Sequence, residues 1–324
     1  GTAVVGTVSG TSISFGSAVV FNSADTQYIS ATYDSTNSKV VVSYRDGANG
    51  RAIVGTVSGT SISFGTEAVF ESAYVAYTSA TYDSTNGKVV ISYTDTGNSN
   101  YGTAIVGTVS GTAISFGTAV VFVSGYAINI SATYDVTNNK VVSAYTNASN
   151  FGAAVVGAVS GTSISFGTSV VFNSADTTFI SATYDSTNSK VVTAYRNGGT
   201  NSGTAIVGTV SGTAISFGTA AVFNSADTEY ISATYDSDAQ KLVIAYRDLG
   251  NTGHGTAIVG TVSGTSISFG TSVVFDNIQS EYISATYESN NNKVVIASKD
   301  VVTTYGTGVV YSLASTNYTD FIGI

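Results

Sequence analysis

His254 is the only histidine in the chain, and there is no cysteine at all. A Ser-His-Asp triad would have to run through His254, which lies in the Gly-rich stretch Gly250-Asn-Thr-Gly-His-Gly255 with no nucleophile-elbow motif around it. Composition alone excludes a thiolate nucleophile, a disulfide framework, a Cys-ligated metal and a multi-histidine centre. The carboxylates that could do paired acid–base work on a glycosidic bond are Asp46, Asp95, Asp248 and Asp300. They share one sequence context, but the same place holds Asn147 and Asn197, so this recurrence points to turn-forming Asx residues. The loops Asp46-Gly-Ala-Asn-Gly50 and Asp95-Thr-Gly-Asn-Ser99 offer oxygen ligands for calcium but lack EF-hand spacing, and they too read as solvated turns. No cofactor is expected.

Binding chemistry is better represented. Tyr74, Tyr101, Tyr126, Phe151 and Tyr305 fall in segments rich in Asn, Asp and Arg, and rings edged by polar groups suit sugar or protein recognition, with loop packing the other reading of the same five. Arg45, Arg196 and Arg247 join them as candidate ligand-binding residues, with His254, Asp46, Asp95 and Asp248. Tyr28, Tyr77, Phe179, Tyr230 and Tyr282 recur at a single position, with Asn129 as the exception, and read as packing between repeats.

These residues sit on a repeat. Ser-Phe-Gly recurs with Phe at 15, 64, 116, 166, 217 and 269, and Ala-Thr-Tyr-Asp/Glu with Tyr at 33, 82, 134, 184, 235 and 287. Both series step by 49, 52, 50, 51 and 52 residues, a period that points to a propeller or solenoid. Four runs rich in β-branched and aromatic residues fill each period: a (28–34), b (39–45), c (52–58) and d (61–70) in the first copy. Gly59-Thr60 suits a two-residue c–d hairpin, and Asx-rich turns join a to b. Hairpin links imply antiparallel sheets and exclude a parallel β-helix. The expected fold is therefore an all-β, six-bladed β-propeller with four antiparallel strands per blade. Gly16 within d reads as a bulge.

Six copies of a, b and d accompany seven of c, because 306–313 repeats the pattern of 1–8. The expected closure pairs the two ends, residues 1–21 completing the last blade of a single domain over 1–315; in the alternative, 306–324 complete it themselves. The tail 316–324 reads as leading to an absent domain, and a chain opening at Gly1 without any Met reads as either processed or cut from a longer protein. Apolar runs of four or five residues are far short of the roughly 20 needed for a spanning helix.

Comparison of the repeats with one another separates two ends. The a–b and c–d turns are nearly invariant, whereas the d–a and b–c loops differ, and those two loops share one end of an antiparallel sheet. At the uniform end, six acids and six lysines flank the a–b turns and cancel. The variable end carries eleven acids against Arg45, Arg51, Arg196, Arg247 and Lys299, which leaves −6 of the net −9. Nucleic acid and anionic membrane are poor partners for such a surface. Sialidase-type propellers need three convergent arginines and an Asp box, and no Asp box is present.

The string Gly-Thr-Ala-Ile-Val-Gly-Thr-Val-Ser-Gly-Thr-Ser/Ala-Ile-Ser-Phe-Gly, with Ile-Ser-Ala-Thr-Tyr-Asp-Ser and Lys-Val-Val-x-x-Tyr, resembles repeats of tail-fibre and other structural proteins of marine bacteriophages. That resemblance implies an extracellular or virion location and carries over no site residues. The expected function is a non-enzymatic adhesion module that recognises a host-surface glycan or protein through its variable end. A structural spacer, or a glycan hydrolase using axial carboxylates, is the alternative.

Overall fold

The computed structural model describes residues 1–313, so the tail 316–324 lies outside the described residues. Strands dominate the described chain, as the β-branched and aromatic runs require. It forms two compact units. One comprises Gly1–Gly6, Phe15–Val171 and Val210–Ile215, and the other Thr7–Ser14, Phe172–Thr209 and the chain from Ser216 onward.

In the first unit, strands Thr26–Asp34, Lys39–Asp46 and Asn49–Ser58 form an antiparallel sheet in chain order. Strand d is cut in two: Ser61–Phe64 and Ala68–Glu71 both pair with c. The next repeat runs Val75–Asp83, Lys88–Asp95, Tyr101–Ser110, Ala113–Phe116 and Val120–Tyr126 in the same pattern. The cut falls at the Ser-Phe-Gly glycine, where a bulge was expected. Here a Cβ on Gly65 would stand 1.9 Å from the Thr112 carbonyl oxygen, in the c–d turn of the following repeat. The glycine is needed because a neighbouring backbone touches it.

Strand b carries the deepest side chains. Tyr44, Tyr93 and Tyr145 are fully buried in the first unit, as are Tyr195 and Tyr246 in the second. Each ring packs against a phenylalanine from the preceding repeat, as Phe21 does on Tyr44 at 5.2 Å and Phe70 on Tyr93 at 5.2 Å. Small and β-branched residues of b and c fill the space between sheets, as in the cluster of Val41, Ala52, Val54, Val89 and Ile91. At the a–b turns the acids and lysines do not pair with each other. Asp34 closes its own turn by accepting from Asn37 N at 3.0 Å and Asn37 Nδ2 at 2.8 Å, while Lys39 Nζ donates to Thr56 Oγ1 at 2.9 Å.

The second unit follows this plan through Lys241–Asp248, His254–Ser263 and Ser266–Phe269, but where a d–a loop was expected the second half of d runs into the next a as one strand, Val273–Glu288, before Lys293–Asp300. Its last repeat departs from the expected closure. The place beside Lys293–Asp300 is taken by Gly306–Tyr311, and the opening strands pair among themselves, Thr2–Ala3 with Val19–Val20 and Gly6–Ser9 with Ser12–Phe15. One link from the opening strands to the last repeat is a side-chain hydrogen bond, from Asn291 Nδ2 to the Val8 carbonyl at 3.4 Å. A strand five residues downstream closes a far shorter loop than one nearly 300 residues upstream, so the local copy has the entropic advantage.

Candidate functional site

Where strand a reaches the variable end, each repeat slips register against b: between Gln27 and Ser30 in the first, between Glu229 and Ser232 in the fifth. The slip holds one residue in the left-handed region. Tyr28 (φ 51°), Tyr77 (49°) and Asn129 (50°) occupy it in the first unit, and Phe179 (51°), Tyr230 (48°) and Tyr282 (51°) in the second. A bulky aromatic at positive φ is strained, and such strain persists only where the surroundings over-determine it. The rings form contiguous steps. Tyr28 meets Tyr77 at 5.1 Å, and Tyr230 meets Phe179 and Tyr282 at 5.3 Å each. Packing between repeats is thus real, yet Tyr28 remains 37% and Tyr282 69% exposed, so these rings are also surface. Sequence reasoning treated them as packing alone. Asn129 was the available signal, since Asn is the common non-glycine residue at positive φ.

In the first unit, Tyr74 and Arg45 complete a cluster. The Arg45 guanidinium lies 4.9 Å from the Tyr28 ring centroid and 4.2 Å from that of Tyr74, and it donates to the Gln27 side chain. Arg45 is buried, whereas Tyr74 is half exposed. Tyr101 stands opposite both Asp95 and Tyr126 in the sheet register, so three of the sequence candidates meet there. Burial pushes the Tyr77 phenol up, with Tyr28 and Tyr126 beside it. Phe151 opens strand c of the third repeat, and its backbone N–H donates to Asn147 Oδ1 at 3.1 Å.

In the second unit, Arg247 Nη1 lies 3.4 Å from Glu229 and 3.6 Å from Glu281, and Lys299 Nζ lies 3.4 Å from Glu281 and 5.8 Å from the Tyr282 ring centroid. Arg196 Nε donates to Asp227 at 2.6 Å. That hydrogen bond holds the Asp227 carboxyl below its ordinary value and raises the guanidinium further. His254 stands opposite Asp248 and Gln279, with its Nε2 2.9 Å from Thr252 Oγ1. Tyr305 is 73% exposed at the end of the last b–c loop.

The carboxylates weighed for hydrolysis all have structural partners. Asp46 pairs with Arg51 at 3.1 Å; Asp95 accepts from Asn98 N at 3.1 Å, Asp248 from Gly250 N at 3.0 Å and Asp300 from Val302 N at 2.7 Å. Among the described residues, no three His, Cys, Asp or Glu side chains group as metal ligands. No described helix is long and apolar enough to cross a membrane.

No known family model matches the chain, and no curated protein matches its sequence. Solved structures of β-propeller type do match its fold. AofleA from Arthrobotrys oligospora is 11% identical, with 91% of this chain and 86% of that chain covered at a TM-score of 0.56. The NanB sialidase from Streptococcus pneumoniae is 10% identical, covering 89% and 68% at 0.59. The periplasmic gluconolactonase PpgL from Pseudomonas aeruginosa is 10% identical, covering 98% and 99% at 0.59. At such identities the likeness shows the fold alone. It also corrects one expectation. Two of these structures are enzymes, so the reading of the chain as a non-enzyme, drawn from the thin catalytic inventory, does not stand. The bacteriophage setting has no counterpart among them.

Proposed function

We propose that the chain recognises a glycan through the loop end of its repeats, which we read as the blades of a six-bladed propeller. The observation that carries this reading is the Tyr28–Arg45–Tyr74 cluster. Two partly exposed rings flank a guanidinium already buried between them, and the Tyr28 ring is carried at the left-handed backbone position that recurs in every repeat. Rigid aromatic faces bordered by hydrogen-bonding edges suit the C–H faces and hydroxyls of sugars. The sialidase and gluconolactonase of like fold are both carbohydrate-directed by name, which supports the same class of ligand, and the periplasmic setting of the latter supports an exported protein.

The test is a glycan array followed by chromatography of any bound saccharide for turnover. Tyr74→Ala and Tyr126→Ala, both at partly exposed rings, are expected to weaken binding at least tenfold, which corresponds to about 1.4 kcal/mol, while the melting temperature stays near that of the parent. Undiminished binding by both variants would overturn the proposal.

A further inference from the structure

All five cations at the variable end are engaged within the protein. In the first unit Arg45 is held by two rings and Gln27, and Arg51 by Asp46 at 3.1 Å and Glu67 at 2.6 Å. In the second unit Arg196 is taken by Asp227, Arg247 by Glu229 and Glu281, and Lys299 by Glu281. Carboxylates at the same end remain in excess. Asp25, Asp46, Glu71 and Asp95 face two cations in the first unit, and seven acids face three cations in the second, leaving −2 and −4. Several of the surplus acids also hold turn amides: Glu71 accepts from Ala73 N at 3.1 Å and Asp276 from Ile278 N at 3.2 Å. In the second and third repeats, the positions equivalent to Gln27 and Arg45 carry no charge: Ala76 with Thr94, and Ile128 with Thr146.

An acidic saccharide would therefore have to displace an existing partner to find a cation, and would approach through a field of its own sign. A neutral one needs only ring faces and hydrogen-bonding edges. We infer that this end takes uncharged or amine-bearing saccharides and discriminates against those carrying carboxylate or sulfate groups. The inference rests on the carbohydrate reading above and narrows its ligand class.

An array on which each neutral oligosaccharide is printed beside its own sialylated, uronate or sulfated counterpart tests it. Neutral members are expected to bind, and their acidic counterparts at least tenfold more weakly in about 0.02 M salt, the gap narrowing in about 0.5 M salt as charges are screened. Acidic counterparts that bind as tightly as the neutral ones would overturn the inference while leaving the carbohydrate reading intact. An array with no hits in any class would overturn that reading itself. A second arm uses Glu281→Gln, which removes the carboxylate shared by Arg247 and Lys299. The acidic-to-neutral binding ratio is expected to rise severalfold, and an unchanged ratio counts against the inference.

Discussion

Asp95 carries its charge in an unfavourable place. It is 9% exposed, and burial first, then the nearby Glu71 charge, raises its carboxyl above the ordinary value, although the turn amides of Asn98 and Gly97 pull the other way. The third repeat performs the same turn without a charge, Asn147 Oδ1 accepting from Ser149 N at 2.9 Å and Phe151 N at 3.1 Å. Because the folded value lies above the unfolded one, the folded chain holds the proton more tightly, and ionisation costs stability as pH rises through the folded value. Asp95→Asn is therefore expected to stabilise the protein at pH 7 by about 0.5–1 kcal/mol, the usual scale for such charge changes. The gain should fade as pH falls and the parent carboxyl protonates. Denaturant midpoints at neutral and acid pH check this, and a gain that grows in acid would contradict it. That these acids close turns was legible in the sequence, since Asn replaces Asp in two copies. The strain at Tyr28 and its equivalents was not, because composition records a residue type and the strain lies in a backbone torsion that the neighbouring strands impose.

Among the elements, strand d shows how a correct assignment can rest on an incomplete cause. Its residues and its hairpin to c were readable from the repeat, and the irregularity at Ser-Phe-Gly was readable as a bulge within one strand, not as the break that divides it. What interrupts it was not readable, because the contact belongs to another repeat. Gly16, Gly65 and Gly117 each lie where a Cβ would come within 1.9 Å of a carbonyl oxygen in the following c–d turn, at Thr60, Thr112 and Thr162. Such an overlap cannot be relieved by turning a side chain. Gly65→Ala is expected to cost about 3 kcal/mol, the upper range for overpacking. Gly111→Ala, at φ 61° with nothing within 4 Å, should cost only the left-handed penalty of about 1–2 kcal/mol. Chemical denaturation of the two variants ranks them, and the reverse order would show that the turn yields to accommodate a methyl group.

At the scale of the molecule, the repeat arithmetic announced an extra copy of strand c, and the expected closure gave the last repeat the opening copy, whereas Gly306–Tyr311 stands beside Lys293–Asp300. Two substitutions in that repeat bear on the choice. Where other repeats bury a tyrosine on strand b, the last has Ser298, and where c carries a glycine opposite the first b valine, it has Tyr311 opposite Val294. In the first repeat that glycine, Gly55, lies under strand d, a Cβ there meeting Ile62 Cδ1 at 2.8 Å and Phe64 Cε1 at 3.0 Å. Tyr311 instead supplies its own bulk and is 4% exposed, in one cluster with Phe275, so Gly306–Tyr311 is packed into the last sheet. The opening copy of c is far less covered, Val4 being 47% exposed where the equivalent Ile53 is 3%. Deletion of residues 1–21 separates the two closures. If the last repeat is served by Gly306–Tyr311, amide protection along Lys293–Asp300 should survive the deletion. Protection along Lys39–Asp46 should fall by about 3–5 kcal/mol, because Phe21 is lost from its places 5.2 Å from Tyr44 and 5.5 Å from Phe64. Collapse of protection along Lys293–Asp300 would instead show that the opening strands complete the last repeat in solution.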